Sequence, residues 1–284
     1  MYGRMSLAVA LLATTVLMLF NSGQAAAEGK MTRYVRFQAD DTVAYGIVED
    51  DTVRQLDGDL FGQWKPTDKT HKLADVKLLV PSANPSKVLA IAGNYKSHTA
   101  GHDWKRKDPE PFFKVPSCLI AAGEKIVIPK GATNIHFEAE LVIVIGKRAK
   151  NVPGDKALDY VLGITCGNDV SARDWQKNDV QWWRAKGSDT FGPCGPSIIS
   201  GIDYNDLQLE LRVNGQVKQK ERTNNMEHDV GDIVAWISQF VTLEPGDLIY
   251  TGTPGKTSEI VPGDVVEVEL SKVGVLRNPV TAAE

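Results

Sequence analysis

Carboxylates in unusual company are the first residues of this chain to suggest chemistry. His136-Phe137-Glu138-Ala139-Glu140 leads straight into the apolar run Leu141-Val142-Ile143-Val144-Ile145, which ends at Gly146. Alternate side chains of a strand share a face, so His136, Glu138 and Glu140 are expected to project together. Two carboxylates side by side repel unless something positive lies between them. An E-x-E on a solvated strand face would need no such group, but the apolar run argues for burial and hence for a cation. A third acid, Asp169, follows the small-residue, strand-like stretch Leu162-Gly163-Ile164-Thr165-Cys166-Gly167-Asn168. Three carboxylates with no thiolate partner suit a hard cation, Mg²⁺ first and then Mn²⁺ or Ca²⁺. Lys186 follows Trp182-Trp183-Arg184-Ala185 and precedes Gly187, an odd setting for a solvated lysine. The chain has no G-x-S-x-G elbow, Walker loop, G-x-G-x-x-G or H-E-x-x-H, which excludes the chemistries those motifs carry.

These residues need strands to hold them. Tyr34-Val35-Arg36-Phe37 and Val43-Ala44-Tyr45-Gly46-Ile47-Val48 are β-rich runs separated by Ala39-Asp40-Asp41, with a second acidic turn at Glu49-Asp50-Asp51. Residues 62–86 are polar and punctuated by Pro66, Pro81 and Pro85, as suits a connection between a small β module and a larger domain. Val88-Leu89-Ala90-Ile91-Ala92 reads as a buried strand. Leu207, Leu209, Leu211 and Val213 alternate with polar residues and run into Asn214-Gly215, a strong hairpin signal. Over 232–240, Ile233, Trp236, Ile237 and Phe240 recur at helical spacing, predicting an amphipathic helix. Glu244-Pro245-Gly246-Asp247 and Val261-Pro262-Gly263-Asp264 place Pro-Gly where a type II turn wants it, so both read as architecture. The expected fold is β-rich α+β.

Five motifs in order then carry a resemblance: Asn94-Tyr95-x-x-His98, His136-x-Glu138-x-Glu140, Asn168-Asp169-Val170-Ser171-Ala172-Arg173-Asp174-Trp175-Gln176, Lys186-Gly187-Ser188-Asp189-Thr190-Phe191-Gly192-Pro193 and Thr251-Gly252-Thr253-Pro254. Together they resemble the fumarylacetoacetate hydrolase family over roughly residues 87–281. The resemblance implies a mixed β-sandwich or roll of the family's C-terminal type, a small N-terminal β module and a homodimer. It implies that Glu138, Glu140 and Asp169 bind the metal and that Lys186 lies beside a developing enolate or oxyanion. Gln176 and Thr253 would contact substrate oxygens, and His98 would be the base that activates water. Tyr95 is a further candidate for the substrate pocket. Arg173 and Asp174 are expected to pair with each other or brace the loop, and Trp175, Trp182 and Trp183 to pack or form a lid. One departure stands out. Many members carry a Glu three residues after the His, where it orients the imidazole; here that position is Gly101. His102, Asp103 and Glu259 are the candidate substitutes.

The N-terminus has its own character. Arg4 precedes an apolar run from Leu7 to Phe20, followed by Asn21-Ser22-Gly23-Gln24 and Ala25-Ala26-Ala27. That is the pattern of a secretory signal peptide; the run falls short of the roughly 20 residues a spanning helix needs. The expected division is therefore a signal peptide over 1–27, a β module and linker over 28–83, and a catalytic domain over 84–284. The mature protein would be periplasmic or secreted and free of the membrane. Cleavage removes Arg4, moving the net charge from −4 to −5. No basic cluster is interleaved with aromatics, so nucleic acid is not an expected partner. Three cysteines with no CxxC spacing exclude a disulfide scaffold and a Cys-based zinc site.

The family resemblance, with the three carboxylates, implies a metal-dependent enzyme acting on a small 2-oxo or 1,3-dioxo acid. Its concrete form is hydrolysis of a C–C bond in an acylpyruvate-like substrate through an enolate. The alternative is decarboxylation or keto–enol isomerisation of a 2-oxo diacid of oxaloacetate or hydroxymuconate type, which needs no strongly activated water. A third reading is an exported protein that binds a dicarboxylate without turning it over.

Overall fold

The computed structural model describes residues 30–100 and 107–284. The signal peptide expected over 1–27 lies outside the described residues, as do Gly101, His102 and Asp103. Strands dominate the fold, as composition and spacing predict. The first four, Thr32–Ala39, Thr42–Glu49, Thr52–Gly58 and Trp64–Lys72, form an antiparallel meander. Its first two turns place Asp40 and Asp50 at φ 49° and 54°, a conformation that Asp tolerates better than most residues. Part of the expected connection over 62–86 is thus a strand. Pro66 is accommodated because that strand lies at the sheet edge and its pairing shifts between Arg54 and Leu56, and edges and irregularities are where proline is tolerated.

The meander does not stand apart. Thr32–Ala39 pairs with Gly192–Ser200, and the sheet continues through Val161–Asn168, Ala139–Ile145, Leu248–Tyr250, Val88–Ile91 and Pro111–Lys114. A second sheet runs Gln216–Arg222, Gln208–Val213, Val265–Leu270, Gly274–Ala282 and Ile126–Ile128. Leu141 and Ile143 of the first sheet share one apolar core with Leu209, Leu211 and Val268 of the second. Val142 and Val144, on the opposite face, pack into another core with Tyr34, Ile198 and Tyr250. The run from Leu141 to Ile145 is unbroken because both faces of its strand are covered, whereas Gln208–Val213 alternates because one of its faces meets water.

The expected hairpin turns at Asn214-Gly215, both at positive φ (51° and 78°), as a type I′ turn requires. In both Pro-Gly turns the fourth residue's N–H bonds the first residue's carbonyl, Asp247 to Glu244 at 3.0 Å and Asp264 to Val261 at 3.1 Å. The helix spans Val230–Phe240, two residues longer than the spacing predicts, because Asp229 and Asp232 form a capping box ahead of the apolar stripe. Phe240, expected on the buried face, is exposed and edges onto Trp236 at 5.1 Å between ring centroids. All three cysteines are buried and free, and no helix among the described residues is long and apolar enough to cross a membrane.

Candidate active site

Two neighbouring strands bring the acids together. Ala139 pairs with Asn168 and Glu140 with Gly167, so Glu138 and Asp169 flank one end of the same ladder. The N–H of Asp169 donates to the Glu138 carbonyl at 2.9 Å, and the Asn168 side chain accepts the N–H of Glu138 at 2.9 Å. Gly167 is required by packing: a β-carbon there would come within 2.4 Å of Val142 and 2.5 Å of the Tyr250 ring. Carboxylate oxygens of Glu138, Glu140 and Asp169 all lie within 4.8 Å of one another, and all three residues are buried. His136 does not join them. The strand breaks after it, and its ring bonds Thr257 at 2.9 Å and Asn134 at 2.8 Å. The expectation of three side chains on one strand face therefore holds for the two glutamates alone.

Three cations surround the acids. The Lys186 ammonium donates to Glu138 at 2.7 Å and to Asp169 at 2.8 Å. Arg173 donates to Glu138 at 2.6 Å, to the Gln176 side chain at 2.8 Å and to Thr257 at 2.8 Å. Lys114 is wholly buried and donates to the other Asp169 oxygen at 2.7 Å, to the Phe191 carbonyl at 3.2 Å and to the Lys186 carbonyl. Sequence reasoning missed Lys114 and misplaced Arg173. Successive residues of the Arg173–Asn178 helix point in different directions, so Asp174 turns away to the Thr133 hydroxyl and Arg173 reaches the acids.

The charges are unevenly answered. Burial disfavours an ionised Glu138, yet Lys186 and Arg173 hold its carboxyl well below the usual range. Burial also opposes the charge of Lys114, but the groups around it, Asp169 foremost, together hold that ammonium above the ordinary lysine value. Among the described residues, only the Gly252 N–H, at 2.7 Å, hydrogen-bonds the Glu140 carboxylate. Burial and the neighbouring Asp169 and Glu138 push its carboxyl well above the usual range. A hard divalent cation fits this donor set: three convergent carboxylates, one of them short of positive charge.

Glu138, Asp169, Arg173 and Lys186 form part of the wall of a cavity of about 240 Å³, with Ile91, Phe112 and Trp182 on its apolar side and His98, Gln176 and Thr253 on its polar side. His98 stands on a single turn, Lys96–Thr99, and its Nδ1 lies 2.7 Å from the Gly255 carbonyl oxygen. A carbonyl only accepts, so Nδ1 carries a proton, and in the neutral ring Nε2 is the acceptor. No carboxylate among the described residues hydrogen-bonds this ring; Glu259 pairs through its backbone with His136 in an isolated antiparallel bridge. Gln219 donates to the Thr253 oxygen at 2.9 Å and accepts the N–H of Ala139 at 3.0 Å, a bracing role its sequence position does not announce. Tyr95 does not line the cavity. It is fully buried, and its hydroxyl has no partner among the described residues. Of the three tryptophans, Trp182 alone lines the cavity, in edge contact with Phe112.

Fold and site together define an enzyme that works around a buried carboxylate cluster. The pattern of the fumarylacetoacetate hydrolase C-terminal family matches residues 87–281, and an N-terminal pattern typified by protein Rv2993c matches residues 32–81. Protein Rv2993c of Mycobacterium tuberculosis is 44% identical over 259 residues, covering 87% of this chain and 97% of its own. The mitochondrial oxaloacetate tautomerase fahd2 of Xenopus laevis is 39% identical over 220 residues, 73% of this chain and 69% of its own. Among solved structures, the 2-hydroxyhepta-2,4-diene-1,7-dioate isomerase from Mycobacterium marinum superposes with a TM-score of 0.82 at 43% identity, covering 88% of this chain and 98% of its own. The chain belongs to the fumarylacetoacetate hydrolase family.

Proposed function

We propose that the protein catalyses keto–enol isomerisation of a small 2-oxo diacid. The observation that carries this reading is the Gly255 carbonyl on His98, 2.7 Å from Nδ1. It presents Nε2 as a neutral base, with no hydrogen-bonded carboxylate among the described residues to stabilise the imidazolium that forms. Such a base suits an acidic proton on the carbon beside an activated 2-oxo group better than a water that must attack a ketone. The names of the Xenopus tautomerase and the Mycobacterium isomerase support the same direction. Acylpyruvate hydrolysis would use the same side chains but asks more of His98.

The residues divide the work by charge and reach. A divalent cation held by Glu138, Glu140 and Asp169 would act as a Lewis acid on the 2-oxo group and acidify the neighbouring C–H. Nε2 of His98 takes that proton and returns it to the other end of the enol system. The Lys186 ammonium, held between Glu138 and Asp169, stabilises negative charge as it develops on oxygen. Thr253 accepts from Gln219, which leaves its own O–H to donate to a substrate oxygen. Gln176 accepts from Arg173, which leaves its amide nitrogen for the same purpose. Phe112 and Trp182 exclude water from one side.

The test follows the ultraviolet absorbance of enol-oxaloacetate in a buffer that catalyses ketonisation poorly, with Mg²⁺ present. The expected result is faster enol–keto exchange without C–C cleavage. Cleavage of an acylpyruvate with no acceleration of oxaloacetate exchange would overturn the reading in favour of the hydrolase.

A further inference from the structure

Three formal negative charges, on Glu138, Glu140 and Asp169, face three positive ones on Lys114, Lys186 and Arg173. Even with all three acids ionised, the cluster carries no net negative charge before any metal arrives. A divalent ion entering it leaves two positive charges unanswered in a buried place, where uncompensated charge is costly. A 2-oxo diacid brings two negative charges into the adjoining cavity. Lys114 is the telling member of the trio. Lys186 and Arg173 line the cavity and can serve a substrate, whereas Lys114 is absent from its wall and has no exposed side-chain surface. Its three N–H donors match three acceptors, Asp169 and the carbonyls of Lys186 and Phe191. It shares a face of the strand Pro111–Lys114 with Phe112, which does line the cavity. Its charge thus reaches the site through the acids, in direct contact with Asp169 and at longer range on Glu140.

We propose that Lys114 is a positioning residue that neutralises the acid cluster in advance, so that the divalent cation binds weakly alone and tightly only together with a dianionic 2-oxo acid. Linkage makes this reciprocal: the cation strengthens the diacid by the same factor as the diacid strengthens the cation. This rests on the reading of the cavity as a site for a 2-oxo diacid, and it deepens that reading by making metal and substrate capture interdependent.

Calorimetry of the full protein with Mn²⁺, alone and with saturating oxalate, tests the coupling once the affinity of oxalate for Mn²⁺ in solution is subtracted. Mn²⁺ binding is expected to tighten by at least about tenfold, within the usual range of coupling between sites. The monoanion oxamate, treated in the same way, should yield a much smaller gain. In Lys114→Met the unaided Mn²⁺ affinity should rise, the oxalate effect should shrink, and Mn²⁺ should raise the Tm by more than it does in the parent. A residue that merely supported the fold would lower the Tm and leave the Mn²⁺ affinity of the folded protein unchanged. An oxalate effect under about twofold, equal gains from oxalate and oxamate, or an unchanged or weaker Mn²⁺ affinity in Lys114→Met would each overturn the proposal. If Lys114→Met does not fold, the oxalate and oxamate arms on the parent protein decide it. Oxaloacetate turnover without coupling refutes this inference alone, while coupling without turnover refutes the isomerase reading and leaves this one standing.

Discussion

The two ends of the cavity are built on different terms. At the acid end, side chains sit on or beside central strands, are buried, and answer one another: Glu138 and Asp169 each contact two cations, and Lys186 bridges them. At the base end, His98 rides on a four-residue turn, is half-buried and, among the described residues, has its ring held by one hydrogen bond, to a backbone carbonyl. The acid end is preorganised, because Glu138 and Asp169 are each held from two sides and no member moves without weakening a buried pairing. The base end is adjustable, because rotating one ring breaks a single bond. Stabilising developing charge rewards the first arrangement, and carrying a proton between two atoms tolerates the second.

Breaking the acid end should have the largest effect. Asp169→Ala removes one of three anionic ligands and strands Lys114 among carbonyls. Divalent binding should be lost, and stability should fall by about 3–5 kcal/mol, as when one member of a buried pair is removed. Calorimetry and urea denaturation check the two parts, and undiminished Mn²⁺ affinity would remove the acid end from the comparison. His98→Ala should slow isomerisation by about 10²–10⁴-fold while leaving the urea midpoint and Mn²⁺ binding as in the parent. A matching loss of stability would show that the base end is no looser than the acid end. Lys186→Met should cost about 10²–10³-fold in kcat, the scale of losing one preorganised charge-stabilising donor. Unlike the His98 change it should also shift Mn²⁺ affinity, because Lys186 touches two of the ligands.

The smallest expected effect lies between the two ends and depends on pH. Burial, then the charge of Arg173, lowers the pKa of His136 from 6.5 to about 4. The folded protein therefore holds His136 neutral where the unfolded chain would protonate it. Its contribution to stability is complete above pH 6.5 and is lost as pH falls from there toward about 4. Urea midpoints across that window should decline less steeply in His136→Gln than in the parent. Equal slopes would detach His136 from the charge balance of the site.

Much of this was legible in the residues. The alternation at Leu207–Val213, the unbroken run at Leu141–Ile145, the Asn214-Gly215 turn and the E-x-E beside an apolar strand are local patterns, and each forms the predicted element. The periods of strand and helix, the positive φ that Asn and Gly allow, and the repulsion of neighbouring carboxylates act over a few residues, so the chain itself determines them. What the sequence could not determine is which distant group answers each charge. Lys114 finds Asp169 across 55 positions, and the partner of His98 is a carbonyl 157 positions away. Every residue carries a carbonyl, so an orienting carbonyl leaves no mark in the sequence, which offers only the side chains of His102, Asp103 and Glu259 as candidates. Their adjacency in the chain predicts that Arg173 and Asp174 pair with each other or brace the loop, yet helix geometry parts them and the strand pairing of Ala139 with Asn168 sets Glu138 within reach of Arg173. Tertiary structure made these choices because a buried charge takes the best partner that the packing brings near, whatever its distance along the chain.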